Sequence, residues 1–177
     1  WTTYRLMARD TIDETEKWLG VRKPCTTDAI LLIGSRSYDH TTAIDLQQRT
    51  GWDHEVVKHL VSKYGDRCQR IGEMAAQDAA LKERLLPGMP YTVAELHYVL
   101  QEEMVYTLKD VLARRWGTQL ADWQQTRQLI PLVAAHMSNY LGWTTEDMNR
   151  YKEEYLLELD LLESEMKGMQ GNMQPDP

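Results

Sequence analysis

The string His54-Glu55-Val56-Val57-Lys58-His59 comes within one residue of the zinc motif His-Glu-x-x-His. That motif works because histidines at i and i+4 share a helix face. A spacing of i+5 swings the second imidazole roughly 140° around the axis, so the two rings cannot hold one ion and no metal site is expected. A second set is better connected. Glu103, Thr107, Asp110 and Arg114 follow one another at i+4, i+3 and i+4, with Arg115 adjacent. On one helix these side chains can meet at the edge of a buried face. They read as a structural ion and hydrogen-bond ladder before they read as a catalytic site. His97 reads as a lone core histidine, and His40 and His136 have no companion at ligand spacing. The sequence has no Gly-x-Ser-x-Gly elbow, no P-loop and no Gly-x-Gly-x-x-Gly. The neighbouring carboxylates Glu102-Glu103 and Glu153-Glu154 point different ways and read as solvated charge.

The ladder needs a helix to carry it. A Pro-Gly-Met-Pro turn at residues 87–90 is followed by Thr92 and Glu95, a Thr-x-x-Glu capping box, and no Gly or Pro recurs before Gly117. The spacing predicts one helix of roughly seven turns over 92–116. Val93, Leu100, Met104, Leu108 and Val111 face the core, while Glu95, Glu102 and Lys109 lie on the far side. Around it the reading is helical almost throughout. Helices are expected over 2–19 with Thr2 or Thr3 as N-cap, from Thr42 to Gly51, over 54–64 behind an Asp53 cap, and over 67–76. A helix over 123–141 follows an Asp122 cap, with a kink or break near Leu129 because Pro131 sits inside it. A last helix runs from Thr144 or Thr145 to about Met166. Residues 28–34 form a short apolar run, a strand or a buried extended segment, and the tail from Gly168 should be disordered.

At 177 residues, 42% hydrophobic, the chain can bury one core. A formal net charge of −7 without a basic run argues against a nucleic-acid partner. The apolar runs are too short to span a bilayer. Cys25 and Cys68 form no Cys-x-x-Cys and fit a reduced, cytoplasmic setting as core filler or bystanders. The six tryptophans sit mostly at helix ends, where they wedge between elements.

Two stretches carry a family resemblance. Trp1-Thr2-Thr3-Tyr4-Arg5-Leu6-Met7-Ala8 resembles the end of the flavin domain of FAD-dependent glycerol-3-phosphate dehydrogenases, just after that family's Gly-Gly-Lys. LVSKYG from Leu60, LPGMPYTVAELHYVLQEEMVYTLKDVLARR from Leu86 and LGW from Leu141 resemble the same family's helical C-terminal domain. Glu95, Glu103, Thr107, Asp110, Arg114 and Arg115 all fall on positions of that motif. The resemblance covers nearly all of residues 36–162.

It implies a mainly α fold. Residues 1–35 are the last helix of a flavin-binding domain plus linker, 36–165 a compact multi-helix C-terminal domain, and 166–177 a disordered tail. The implied intact enzyme oxidises sn-glycerol 3-phosphate to dihydroxyacetone phosphate. It uses FAD, passes electrons to quinone and sits peripherally at the cytoplasmic face of the membrane. Trp1, Thr2 and Thr3 would face the flavin in that enzyme, where a helix N-terminus favours negative charge on the reduced ring. The dinucleotide fold and the substrate-phosphate arginines are missing from the sequence, so this chain alone is expected neither to retain FAD nor to turn over substrate. Two roles follow for the helical part. One is a structural buttress fastened by the ladder to its own FAD-binding domain or its own helices. The other is an interaction module, docking another protein or forming a homodimer.

Overall fold

The computed structural model describes residues 3–171, with side chains to residue 168. Among them the chain is mainly α, with eight α-helices, three short 3-10 turns and one wide helical turn, and no strand. The helices are α1 (Tyr4–Leu19), α2 (Thr42–Thr50), α3 (His54–Tyr64), α4 (Cys68–Gln77), α5 (Val93–Glu102), α6 (Thr118–Ala121), α7 (Trp123–Leu141) and α8 (Thr145–Gly171).

Most boundaries follow local signals. Asp53 accepts from the N–H of Glu55 and Val56, and Asp122 from that of Gln125, so both carboxylates satisfy first-turn donors. Gly51 and Gly142 end α2 and α7 in the left-handed conformation. Pro131 lies within a continuous α7, so no break occurs at Leu129. α8 runs to Gly171, beyond the Met166 expected from sequence, and residues 172–177 lie outside the described residues.

α2, α3 and α4 form one packed layer. α4 meets α2 closely: a Cβ on Gly72 would stand 2.6 Å from Leu46 Cδ1. α5 runs between this layer and α7, which packs on α8. α8 returns antiparallel to α7, since Arg127 near the start of α7 bonds Asp160 and Glu163 far along α8. The core draws on all of these, with Leu46, Leu60, Ile71, Leu96, Val99, Leu129, Val133 and Leu159 fully buried.

Three expectations fail. The 92–116 helix is interrupted: α5 stops at Glu102, Met104 takes φ 51°, and Met104 is exposed although it was placed on the core face. Helical structure resumes near Thr107 and becomes a wide turn over Asp110–Arg115, closed by Trp116 N–H on the Val111 carbonyl. Residues 28–34 hold no strand. Their apolar run is exposed, Ile30, Leu31, Leu32 and Ile33 among it, after a short turn at Thr27–Ala29. Thr3 does not cap α1: it has helical φ and ψ, and its hydroxyl lies toward Met7 Sδ. No residue of α1 is buried, so its apolar side chains stay largely exposed among the described residues.

Candidate functional site

The densest polar chemistry lies where α3, α5 and the wide turn meet. Glu95 is fully buried, 0% exposed, contrary to its expected place on the solvent side. Both carboxylate oxygens are bonded by His59 Nε2, at 2.9 and 3.0 Å, and Tyr64 Oη donates to Oε1 at 2.7 Å. Thr92 Oγ1 accepts from Glu95 N–H at 3.1 Å, which completes one half of the capping box. The other half is absent because the Glu95 side chain turns inward instead of back to the cap. Tyr91 closes the cluster, stacked on Trp116 at 4.5 Å and edge-on to His59 at 4.8 Å.

Burial and the Glu95 charge push the Tyr64 hydroxyl far up, and burial with the same charge raises that of Tyr91 to about 12. Both therefore stay protonated, and Tyr64 serves as a donor to Glu95. A buried carboxylate on α5 that is bonded by two side chains of α3 reads as a structural hub joining the two helices.

The ladder residues divide into two sets. Thr107, Asp110 and Arg114 are joined. Asp110 accepts from the N–H of Tyr106 and Thr107, at 3.1 and 3.0 Å, and pairs with Arg114; Thr107 Oγ1 accepts from Asp110 N–H at 3.1 Å. This is an N-cap for the second helical piece. Burial raises the Asp110 carboxyl, but the Arg114 and backbone donors outweigh it and hold the group below its ordinary value. Glu103 pairs instead with Arg115, whose Nε stands 3.4 Å from Oε2 and whose Nη2 donates to the Glu103 carbonyl at 2.6 Å. Burial raises the Glu103 carboxyl, opposed by Arg115 and Lys63. Lys63 on α3 donates to the Arg115 carbonyl.

Asp110 thus acts as a cap beside a solvent-exposed Arg114. Asp110→Ala is expected to cost about 1–2 kcal/mol, the range of a lost N-cap, well short of stranding a buried charge. Urea unfolding with and without the substitution checks it.

His97 on α5 and His136 on α7 also come together, with ring centroids 5.7 Å apart. The sequence left each without a companion. Burial lowers both, and for His136 the neighbouring His97 adds to it. A folded-state value below the unfolded one means stability is full above the unfolded value, near 6.5, and is lost as pH falls through the folded one. The His97→Gln, His136→Gln double variant is expected to flatten that acid-side loss in pH-resolved melts. Among the described residues no group of three or more His, Cys, Asp or Glu could hold a metal. Cys68 is buried and its thiol pushed up to about 11, while Cys25 is exposed.

Of the residues suggested to face a flavin, Trp1 and Thr2 lie outside the described residues, and Thr3 is exposed at the start of α1. A groove of about 500 Å³ runs between α1 and residues 23–32, lined by Tyr4, Ala8, Ile12, Cys25 and Ile30. It is remote in sequence from the Glu95 cluster and mostly apolar.

A model of the C-terminal domain of alpha-glycerophosphate oxidase matches residues 25–148. The chain belongs to that family. The matched stretch of this alpha-glycerophosphate oxidase C-terminal domain takes in the Glu95 cluster and the whole ladder, and leaves out α1 and most of α8. Mitochondrial glycerol-3-phosphate dehydrogenase of Mesocricetus auratus is 32% identical over 149 residues, covering 81% of this chain and 20% of that protein. The human protein of the same name is 31% identical over 163 residues, covering 89% and 22%. The structure of the Bacillus halodurans glycerol-3-phosphate dehydrogenase complexed with FAD superposes with a TM-score of 0.73 at 28% identity, over 89% of this chain and 33% of that one. The chain thus spans about a fifth of the length of these curated relatives. Two features of the domain went unread in its sequence. Glu95 has partners 31 and 36 residues away, beyond any local pattern. The break after Glu102 did have a local signal, since Thr107-x-x-Asp110 is itself a capping pattern.

Proposed function

We propose that this chain is the helical C-terminal domain of an FAD-dependent glycerol-3-phosphate dehydrogenase, and that it acts there as a buttress for the FAD-binding domain. The observation that carries this is the superposition, over 89% of the chain, on a glycerol-3-phosphate dehydrogenase complexed with FAD. The division at about residue 35, with 36–165 as the accessory body and 166–177 as its tail, belongs to this reading. Support for it comes from α1 and residues 30–33, whose apolar side chains are exposed and need a neighbouring domain to cover them.

The residues here fit at most one edge of a flavin. α1 offers a helix N-terminus with free N–H groups and a positive dipole end, but no Gly-rich turn to hold a diphosphate. FAD supplies the redox chemistry in the intact enzyme, and the part of this chain is to hold the domain that binds it. The ladder serves this by fixing the wide turn: Asp110 caps it and Arg115 ties it to the end of α5.

Quinone as acceptor and a peripheral seat at the cytoplasmic face of a membrane complete the proposal. No described helix is long and apolar enough to cross a membrane, which is compatible with a peripheral seat. The parent polypeptide is expected to reduce a dye acceptor with sn-glycerol 3-phosphate. A parent that binds FAD but oxidises only other substrates would overturn the assignment.

A further inference from the structure

Among the described residues, Met104 is the non-glycine residue with positive φ, at 51°. The left-handed conformation costs a residue with a Cβ about 1–2 kcal/mol. Bonds on both sides impose it. The Arg115 guanidinium holds the Glu103 carbonyl, and the Asp110 carboxylate holds the N–H of Tyr106 and Thr107. The result is outward presentation: Met104 is 76% and Tyr106 64% exposed, while Val105 between them is 1% exposed. The Asp110 cap accounts for the break, but it does not require large apolar side chains at the two exposed positions. Such side chains make sense there if another surface covers them.

The position of the loop says which surface. Its far anchor, Arg115, accepts Lys63 at its carbonyl. Two residues beyond Lys63, Gly65 lies against Gly34, and Asp66 donates its N–H to the Gly34 carbonyl at 2.9 Å. The Asp66 carboxylate accepts the N–H of Arg36 and Ser37, at 3.0 and 2.9 Å. The Met104 loop is therefore tied, through Arg115 and Lys63, to the end of α3 that holds the polypeptide where it enters the helical body. Whatever domain precedes that point is held beside the loop at high effective concentration, which favours it over a second copy or a membrane.

We propose that residues 104–106, with the exposed Arg114 beside them, form the seat on which the preceding FAD-binding domain rests. This rests on the reading above, that such a domain exists and binds flavin. Met104 and Tyr106 act as apolar knobs at the centre of that seat, with the Asp110–Arg114 pair at its edge.

The test is amide hydrogen exchange over residues 103–107 in the FAD-loaded parent polypeptide and in this 177-residue chain, with Met104→Asp made in both. Exchange is expected to be about tenfold or more slower in the parent, a coupling of at least 1.4 kcal/mol. Met104→Asp should lower the temperature of flavin release by at least about 3 °C in the parent, while the melting of this chain moves by less than half as much. Equal exchange in parent and chain would overturn the proposal. So would protection that appears only with anionic phospholipid vesicles, or only as protein concentration rises. A parent without FAD, or without glycerol 3-phosphate oxidation, is a failure of the functional reading and is scored separately from the exchange result.

Discussion

Glu95→Ala is expected to destabilise this chain by about 3–5 kcal/mol, because two donors lose a buried acceptor at about 1–3 kcal/mol each. The substitution strands His59 Nε2 and the Tyr64 hydroxyl, both of which bond the carboxylate at 3.0 Å or less. It also leaves a void beside the stacked Tyr91 and Trp116 rings. Against a typical domain stability of roughly 5–15 kcal/mol, such a loss brings the protein near the point of unfolding. Glu95→Gln keeps the shape and an acceptor for Tyr64, so it should cost markedly less, about 1–2 kcal/mol. Urea unfolding followed by tryptophan fluorescence is the measurement, since Trp116 adjoins the site and reports on it. A loss below about 1 kcal/mol for the alanine variant would show that the α3–α5 junction is not organised around this carboxylate.

Gly65→Ala is the second substitution with a large expected effect. Gly65 adopts φ 56° and ψ −132°, a combination open to glycine and closed to residues with a side chain. A Cβ there would stand 1.9 Å from the Gly34 carbonyl oxygen, which is backbone and cannot swing aside. Either the end of α3 or the linker must move. We expect a loss of about 2–4 kcal/mol from backbone strain and the broken contact, together with faster proteolysis within residues 21–35 as Gly34 detaches from Asp66. Gly51→Ala is the control. It shares a positive φ of 74°, but nothing lies within 4 Å of its Cβ position. Only the left-handed cost of about 1–2 kcal/mol applies to it. Equal losses for the two variants would mean that the Gly34–Gly65 approach contributes nothing.

What was legible in the sequence follows the range of the signal. The caps Asp53 and Asp122 and the stops Gly51 and Gly142 act within one turn of themselves, so reading them needs no knowledge of tertiary packing. The mainly α class follows from the same local grammar. Glu95 shows the opposite case. A single apolar stripe through Val93 and Leu100 sets its phase toward water, yet α5 is buried on nearly every side, through Ala94, Leu96, Tyr98 and Val99 as well. A helix enclosed by α4, α7 and the wide turn has no outer face to give a charge, so Glu95 needed His59 and Tyr64. The local string sets His59 beside His54 on its own helix, whereas its partner Glu95 lies on α5. The ladder was placed on one continuous helix. The break at Met104 splits it, because Thr107 and Asp110 cap a new start more strongly than the apolar period continues the old one. Residues 30–33 differ for another reason: an apolar run implies a cover, and the described residues leave Ile30 to Ile33 exposed.

In the proposed function this chain supports a flavoenzyme of glycerol 3-phosphate whose chemistry occurs in another domain. Anaerobic addition of sn-glycerol 3-phosphate to the purified parent polypeptide tests it most directly. The account predicts that the flavin absorption band bleaches on mixing. It also predicts that the Asp110→Ala parent bleaches at the same rate once loaded with flavin, though it melts at a lower temperature. A band that glycerol 3-phosphate leaves unchanged, or an Asp110→Ala parent that melts normally yet no longer bleaches, would contradict it.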